Sequence, residues 1–298
     1  MDSGNPRPAL VSNYDESRSP HLSRHSLLRS RIRKMDVKIY VARHGQDTDN
    51  ANGILNGRRD EQLTELGKQQ AKDVARKMSE AGFRLFSPSS SSIMTPSSSS
   101  SSSYTMLSAI YSSPLRRARE TAEIFAGALS SDCCDGDNAS DEDRQGPPPT
   151  GDGTSIEMEI LDDLVERDFG IMTGQPTSSI LEMCDLDDVR VLATDAINYF
   201  LDPPNAETFP DLIDRAHRLL FHIQTIITKG SSSSSSSPSS ILLVTHGDFG
   251  KMLYAAYYNL QWEEVLRQFH FGNSEVLLLA KDSPPNKAHV FETLQFNP

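Results

Sequence analysis

Apolar residues in this chain fall into short continuous runs, separated by longer segments in which they recur at helical spacing. Residues 37–42 form the first run, which predicts a short buried strand that stops at Arg43. Residues 241–245 form a second run and are apolar without interruption, as in a strand covered on both faces. Residues 106–111, 156–161 and 275–280 predict further strands, and 290–294 an edge strand.

Helical spacing appears between these runs. Thr64 is a suitable N-cap for a helix that ends at Gly82, and the tetrapeptide at 208–211 has the character of a capping box. The predicted helices cover 64–82, 115–129, 208–227 and 249–258, and the first of them has an apolar face of Leu66, Ala71, Val74, Ala75 and Met78. Strands that alternate with helices predict an α/β sheet with helices on both faces.

Serine-rich and acidic segments interrupt this pattern. We predict low-complexity insertions at about 87–104, 130–155 and 230–240, because such segments cannot bury enough apolar surface to order themselves. Residues 1–34 are rich in serine and arginine and predict a disordered tail, which leaves a single domain over 35–298. Residues 174–204 mix polar and apolar positions and predict helical excursions or a lid.

Composition narrows the classes of function. The 298 residues are 37% hydrophobic, enough for one sizeable core, and the net charge of −12 argues against a general nucleic-acid binder. Three cysteines give no disulfide framework, so we expect a reduced, cytoplasmic protein. No apolar run is long enough to span a bilayer. Organellar targeting by the tail is an alternative that its acidic residues weaken, and the sequence does not predict an oligomeric state.

Two of the predicted strands end in the same way, at Arg43-His44-Gly45 and at His246-Gly247. The carboxyl edge of an α/β sheet is where ligands bind. Histidine can act as a covalent nucleophile, and arginine is suited to a bidentate grip on phosphate. Six other histidines have no such setting, and we interpret them as surface or core residues: His21, His25, His217, His222, His270 and His289.

Two further segments add chemistry. A third strand is followed by Arg116 and Arg117 at the start of a helix, where the free N–H groups also favour an anion. Glu166 lies at the end of a fourth strand region and could serve as a proton donor. Each residue alone has an unremarkable explanation as a solvated charge, but together they predict a phosphoryl site.

The ordered motifs resemble those of a histidine phosphatase of the phosphoglycerate mutase-like superfamily. They span residues 37 to about 280 in the order of that family, with the low-complexity segments as insertions. The matching pieces are Arg43-His44-Gly45-Gln46 with Asn50, Gly53-Ile54-Leu55-Asn56-Gly57, Asp60, Leu63-Thr64-Glu65-Leu66-Gly67, Ser113-Pro114-Leu115-Arg116-Arg117-Ala118 with Thr121-Ala122, Glu166 with Phe169-Gly170, Glu207-Thr208 and Val244-Thr245-His246-Gly247. The resemblance implies a three-layer α/β/α fold around a mostly parallel mixed sheet.

The resemblance also implies a role for each site residue. His44 would attack phosphorus, Glu166 would protonate the leaving oxygen, and Arg43, Arg117 and His246 would hold the phosphoryl oxygens. Arg117 is chosen over its neighbour because the family places the essential arginine directly before alanine. Substrate binding would involve Gly45, Asn50, Asn56, Gly57 and Gly247. A phosphatase of this kind needs no metal and no cofactor, because its fixed cations stabilise the charge at the phosphoryl group.

Departures from the family pattern favour a phosphatase acting on a small phosphorylated metabolite. True mutases of the family have a tyrosine where this chain has Phe169, which lacks the hydroxyl that could hold an intermediate. They also have an asparagine at the position of Asp248, whose charge would oppose a carboxylated substrate. The alternatives are a cofactor-dependent phosphoglycerate mutase, and a phosphoprotein phosphatase or non-catalytic binding protein on the same fold.

Overall fold

A computed structural model describes residues 36–86, 104–130, 158–194, 197–230, 239–268 and 270–291. Its strands are β1 Val37–Arg43, β2 Phe83–Leu85, β3 Thr105–Ser112, β4 Met158–Ile160, β5 Val191–Ala193, β6 Asn198–Phe200, β7 Ser239–Thr245, β8 Val276–Leu279 and β9 His289–Phe291. The predicted tail and most of each predicted insertion lie outside the described residues, as do His21 and His25. The domain boundaries therefore stay a prediction.

The central sheet has the strand order β2-β3-β7-β1-β8-β9, and β4 pairs with β3. The pairs β1–β7, β3–β7, β2–β3 and β3–β4 are parallel. β8 is antiparallel to β1, and β9 is antiparallel to β8. The mostly parallel mixed sheet of the sequence prediction is therefore confirmed, and the carboxyl ends of β1, β3, β4 and β7 share one edge.

The helices of the described residues lie between the strands along the chain. They are α1 Thr48–Ala51, α2 Glu65–Glu80, α3 Arg116–Ser130, α4 Ile180–Leu186, α5 Phe209–Gly230, α6 Gly247–Tyr258 and α7 Trp262–Gln268. Thr64 caps α2 by accepting a hydrogen bond from the N–H of Gly67 at 3.0 Å. At the start of α5, the N–H of Thr208 donates to Asp211 at 2.9 Å, and the N–H of Asp211 donates back to Thr208 at 3.3 Å. The predicted capping box is confirmed.

The two faces of the sheet bury separate apolar cores. Ile39 and Val41 of β1 pack in one core with residues of α5 and α6. Tyr40 and Ala42, the alternate residues of the same strand, pack in the other core with residues of α2 and α3. Because successive side chains of a strand point to opposite faces, one continuous apolar run supplies both cores. The predicted three-layer α/β/α arrangement is confirmed.

Several local predictions were wrong or incomplete. Leu66, assigned to the buried face of α2, is 44% exposed. Glu166 does not end a strand: it follows β4 and a short 3-10 turn, and lies in a loop. Residues 174–204 include a short helix, as expected, but also the β5–β6 hairpin, which was not predicted. Neither β2 nor α7 was predicted, because β2 is only three residues long and α7 is two turns.

The loop that follows β1 packs very close to the first turn of α2. A Cβ on Gly45 would overlap the backbone carbonyl of Gly67, and a Cβ on Gly67 would overlap the backbone carbonyl of Gln46. The N–H of Gly45 also donates to the hydroxyl of Thr121 at 3.1 Å. Both glycines are therefore required by the contact of loop and helix, which fixes the position of His44.

We expect Gly67→Ala to lower the free energy of unfolding by about 1–3 kcal/mol, because the added methyl group has no room without a backbone shift. The matched control is Gly127→Ala in the interior of α3, where a new Cβ would have no atom within 4 Å. That change should raise the free energy of unfolding by about 0.5–1 kcal/mol through helix propensity. Urea denaturation measures both, and equal effects would contradict the close-contact explanation.

Candidate active site

The carboxyl ends of β1, β3 and β7 bring three predicted site segments together. The N–H of His44 donates to the carbonyl of Thr245 at 3.0 Å, and the N–H of Ser113 donates to the carbonyl of Val244 at 3.0 Å. The ring centroids of His44 and His246 lie 5.0 Å apart. The two His-Gly strand ends thus form neighbouring walls of one site, as the sequence predicts.

His44 is held with one ring nitrogen available for chemistry. Its Nδ1 lies 2.6 Å from the carbonyl oxygen of Gly45, so Nδ1 carries the proton and donates it there. Nε2 is therefore the unprotonated nitrogen. Burial lowers the pKa of His44 well below its ordinary value, and the guanidinium groups of Arg117 and Arg43 lower it further. His44 is consequently neutral, as a nucleophile must be.

Arg117 is fully buried and directed at His44. Its Nε lies 3.2 Å from Nε2 of His44. Its terminal nitrogens donate to the carbonyl oxygens of Arg59 at 2.6 Å and Gly57 at 2.7 Å. Arg116, in contrast, is exposed and its side chain bonds to Glu120 at 2.7 Å. The structure thus places Arg117, and not its neighbour, beside His44.

Arg43 approaches from the end of β1. Its Nη1 donates to the carbonyl oxygen of Phe271 at 2.6 Å. Its Nε is buried and has no hydrogen-bond partner among the described residues. A Cβ on Gly247 would lie 3.5 Å from Cζ of Arg43 and 3.8 Å from Oε2 of Glu166. Gly247 therefore marks the place where a cation and a carboxyl group converge.

His246 is oriented by a hydroxyl group. Its Nε2 lies 2.8 Å from the hydroxyl of Ser113, which also accepts from the N–H of Leu115 at 3.3 Å. Burial lowers the pKa of His246 well below its ordinary value, with Arg117 acting in the same direction. The hydroxyl of Ser113 therefore fixes the orientation of the ring. The other ring nitrogen, Nδ1, is buried and has no hydrogen-bond partner among the described residues.

Glu166 is buried and its carboxyl group faces the first turn of α6. Its oxygens accept from the N–H groups of Arg167 at 2.8 Å, Phe249 at 3.1 Å and Asp248 at 3.3 Å. Burial raises the pKa of Glu166, and the nearby carboxylate of Asp248 adds to the increase. The backbone N–H groups oppose this shift. A raised pKa is what a carboxyl group needs to act as a general acid.

Asp47 is a site residue that the sequence analysis missed. It is fully buried, and its Oδ2 lies 3.2 Å from Nε of Arg117 and 3.9 Å from Nδ1 of His44. The side-chain amide of Asn56 donates to Asp47 at 2.5 Å, and the N–H of Asn50 donates to it at 2.7 Å. Asp47 looked like a loop acid in the sequence, and only its burial beside a cation identifies it.

The remaining predicted binding residues divide into two groups. Asn50, Asn56 and Gly247 line the cavity described below. Gly57 and Gly45 serve the framework instead. Gly57 has a positive φ of 50° and offers its carbonyl to Arg117, whereas the N–H of Gly45 is already bonded and does not face an anion.

A cavity of about 330 Å³ opens onto this centre. Arg43, Glu166 and Gly247 belong to its wall, whereas His44, Arg117 and His246 lie behind this wall and are at most 2% exposed. Its far wall is apolar and comes largely from residues 174–204. The apolar lining residues are Ile54, Leu55, Phe169, Ile180, Leu181, Ile197 and Phe200.

Two cationic side chains of the cavity lie near Asp248, whose negative charge the sequence analysis interpreted as unfavourable for a carboxylated substrate. Its carboxylate lies 3.6 Å from Arg167 and 3.9 Å from Lys251, so its charge is balanced and does not by itself oppose a carboxylated substrate. Lys251 donates to the hydroxyl of Tyr199 at 2.6 Å, and burial lowers its pKa to about 8. His270, interpreted from sequence as surface or core, also lines this cavity.

Among the described residues, no group of three or more His, Cys, Asp or Glu side chains is arranged to hold a metal ion. No helix in the same part of the chain is long and apolar enough to cross a membrane.

Comparison with known proteins agrees with this geometry. The model of the histidine phosphatase superfamily (branch 1) matches residues 39–94 and 148–288. The 2,3-bisphosphoglycerate-dependent phosphoglycerate mutase of Bartonella henselae is 23% identical over 235 residues, which are 78% of this chain and 87% of that protein. The enzyme of the same name from Methylorubrum extorquens is 26% identical over 220 residues, which are 72% of this chain and 76% of that protein.

Solved structures share the fold at lower identity. A protein described as mycobacterial hydrolase 1 has a TM-score of 0.54 at 19% identity, covering 81% of this chain and 89% of its own. A mycobacterial glucosyl-3-phosphoglycerate phosphatase has a TM-score of 0.51 at 18% identity, with coverages of 81% and 91%. The phosphoserine phosphatase of Entamoeba histolytica has a TM-score of 0.51 at 18% identity, with coverages of 88% and 97%. These similarities bear on the fold alone.

Proposed function

Because the chain belongs to branch 1 of the histidine phosphatase superfamily, we propose that it hydrolyses phosphomonoesters of small metabolites through a phosphohistidine. The observation that carries this proposal is the state of His44. Its Nδ1 donates to the carbonyl of Gly45 at 2.6 Å, its ring is kept neutral, and its free Nε2 lies 3.2 Å from Arg117. A neutral imidazole beside a fixed guanidinium is equipped to attack a phosphoryl group.

In the first step, the substrate's phosphoryl group enters between the cations and displaces Nε of Arg117 from His44. Nε2 attacks phosphorus, the P–O bond to the leaving group breaks, and Glu166 gives its proton to the leaving oxygen. Arg43 and Arg117 stabilise the charge on the phosphoryl oxygens, and the buried ring of His246, whose Nδ1 has no partner among the described residues, adds a further polar contact. The product is a phosphorylated His44 and a free alcohol.

In the second step, water attacks the phosphorylated His44. The carboxylate of Glu166, now without its proton, accepts one from the water as the P–N bond breaks. Inorganic phosphate leaves and His44 returns to its neutral form, so each group ends in its starting state. The bonds from the N–H groups of Phe249 and Asp248 stabilise Glu166 while it is ionised.

A phosphoglycerate mutase is the second candidate, since the curated relatives carry that name. A mutase must hold its reacting intermediate in place while it turns. In this chain Phe169 lines the cavity and packs edge-on against Phe200 at 5.3 Å, so position 169 offers no hydroxyl group to the intermediate. The apolar ring at this position favours hydrolysis of the phosphohistidine over transfer of its phosphoryl group back to the bound intermediate.

A screen of phosphate release from sugar phosphates, nucleotides, phosphoglycerates and phosphopeptides tests the proposal, with the His44→Ala protein as control. We expect net phosphate release from at least one small phosphomonoester, and none with the control. Interconversion of the two monophosphoglycerates, primed with 2,3-bisphosphoglycerate and without net phosphate release, would favour the mutase. No turnover of any member of the panel would favour a binding protein, and release from phosphopeptides alone a phosphoprotein phosphatase.

The proposed substrate is a small phosphorylated metabolite, and no step of the mechanism requires a metal or cofactor. The expected location in the cytoplasm follows from the cysteine content of the sequence and stays a prediction. The same holds for the absence of nucleic-acid and membrane partners, which rests on the charge and hydropathy of the chain.

A further inference from the structure

Arg215 of α5 lies beneath the loop that carries Glu166. Its side chain is almost fully buried. Nη1 donates to the carbonyl oxygens of Asp163 at 2.9 Å and Val165 at 2.5 Å, and Nη2 donates to the carbonyl oxygen of Glu166 at 3.3 Å. One guanidinium therefore holds the main chain of the loop at and just before the proposed proton donor.

Glu207 completes the hydrogen bonding of this guanidinium. Its Oε1 accepts from Nε of Arg215 at 3.1 Å, and its Oε2 accepts from Nη2 at 2.9 Å. A guanidinium has five N–H donors. The two bonds to Glu207 and the three to the loop use all five, so the orientation of Arg215 is fully determined.

Glu207 also fixes the loop after the donor. Its Oε2 accepts from the N–H of Asp168 at 3.1 Å, and its own N–H donates to the carbonyl of Asp168 at 2.9 Å. Glu166 is therefore anchored on both sides, through Arg215 before it and through Glu207 two residues after it.

The same arginine contacts the turn of α6 that holds the carboxyl group. Its Cζ lies 4.2 Å from the centre of the Phe249 ring. The N–H of Phe249 donates to Oε1 of Glu166 at 3.1 Å. Arg215 thus touches both the main chain behind the donor and the residue in front that binds its oxygen.

These contacts matter because residues 165–169 belong to no helix or strand. The place of Glu166 depends on side-chain bonds, and a general acid works only within hydrogen-bond reach of the leaving oxygen. We propose that Arg215, fixed by Glu207, is the positioning residue for the proton donor Glu166. The inference rests on the proposed function, because it assigns a role within that reaction.

A change at Arg215 should leave the nucleophile in place. His44 follows β1, and Arg117 belongs to α3 and bonds to Gly57 and Arg59.

Arg215→Lys keeps the positive charge but has one nitrogen instead of a planar fork. It cannot bind three carbonyls and a carboxylate at once, so it loosens the loop without changing the formal charge. The carbonyl of Glu166 then keeps the bond from Nε of Arg58 at 3.3 Å. The carbonyls of Asp163 and Val165, in contrast, lose the fork that joins them.

Phenyl phosphate and 2,4-dinitrophenyl phosphate separate proton donation from the rest of the reaction. They share a ring, but dinitrophenolate leaves without a proton whereas phenolate needs one. We expect Arg215→Lys to lower kcat/KM for phenyl phosphate about 10- to 100-fold, and for the dinitrophenyl ester less than about threefold. Glu166→Gln should show the same selectivity more strongly. Arg218→Lys, an exposed arginine on the same helix, should change neither value.

Each other outcome has a defined meaning. An equal loss on both esters, or a loss on neither, while Glu166→Gln is selective, would overturn the positioning role of Arg215. Failure of the proposed function looks different: the parent protein hydrolyses neither ester, His44→Ala matches the parent, or Glu166→Gln shows no selectivity. In those cases the inference fails together with the function. Thermal unfolding checks that each variant is folded before the two esters are compared, so an equal loss on both esters is scored only for a folded variant.

Discussion

His44→Ala should reduce kcat/KM by at least about 10⁴-fold, since loss of a covalent nucleophile removes a chemical step that other groups cannot replace. The radiolabelled phosphoryl group of a substrate should appear on the parent protein after rapid acid-free denaturation, and should be stable in alkali but lost in acid. The His44→Ala protein should carry no label. Quenched-flow labelling and steady-state phosphate release measure the two effects.

His222→Ala is the matched control for this experiment. His222 lies on α5 and is exposed, and it belongs to neither wall of the site. Its replacement should leave both labelling and turnover as in the parent. A label that persists in His44→Ala would assign the intermediate to a different residue, and turnover at the parent rate would exclude a phosphohistidine at His44.

The site residues that lie at the ends of strands could be predicted from the sequence. A strand that ends in Arg43-His44 and a strand that ends before His246 must meet if both are parallel and central, and their pairing in register brings them together. The pair Arg116 and Arg117 follows from the same rule, because β3 pairs with β7 on the side away from β1. The choice of Arg117 came from the family resemblance. Side chains placed by the ends of paired strands are predictable because the sheet fixes them.

Other parts depended on contacts that no local pattern encodes. Asp47 is close to Arg117 in space but 70 residues away in the chain, so nothing in the sequence marks it as buried. Arg215 was only one charge on an amphipathic helix, and its role depends on the path of an irregular loop. The β5–β6 hairpin was missed for a different reason: its strands have three residues each, and so few residues show too little periodicity to predict a strand.

The glycines illustrate a different limit. The family resemblance predicted that Gly45 takes part in substrate binding. Its backbone instead meets Gly67 at the start of α2, and its N–H is bonded to Thr121. A glycine in a sequence can indicate that a side chain would not fit at that position. Which group occupies the space, here the backbone of Gly67, is known only from the structure.

Two adjacent arginines at the start of α3 provide an internal comparison. Arg116 and Arg117 differ by one position, yet one is exposed and bonded to Glu120 and the other is fully buried beside His44. Helical geometry separates neighbouring side chains by about 100° around the axis, so only one of the pair can face the sheet edge. The same conservative replacement at each position should therefore have very different effects.

Arg117→Lys should lower kcat/KM about 10²- to 10³-fold, mainly in kcat, because a single ammonium cannot keep the bonds to Gly57 and Arg59 and also reach a phosphoryl oxygen. Arg116→Lys keeps its charge at the surface and should stay within about threefold of the parent. Steady-state kinetics on the best substrate of the screen measure both, and thermal unfolding checks that each variant is folded. Equal losses at the two positions would mean that the charge of the helix start, and not the guanidinium fixed beside His44, stabilises the transferred phosphoryl group.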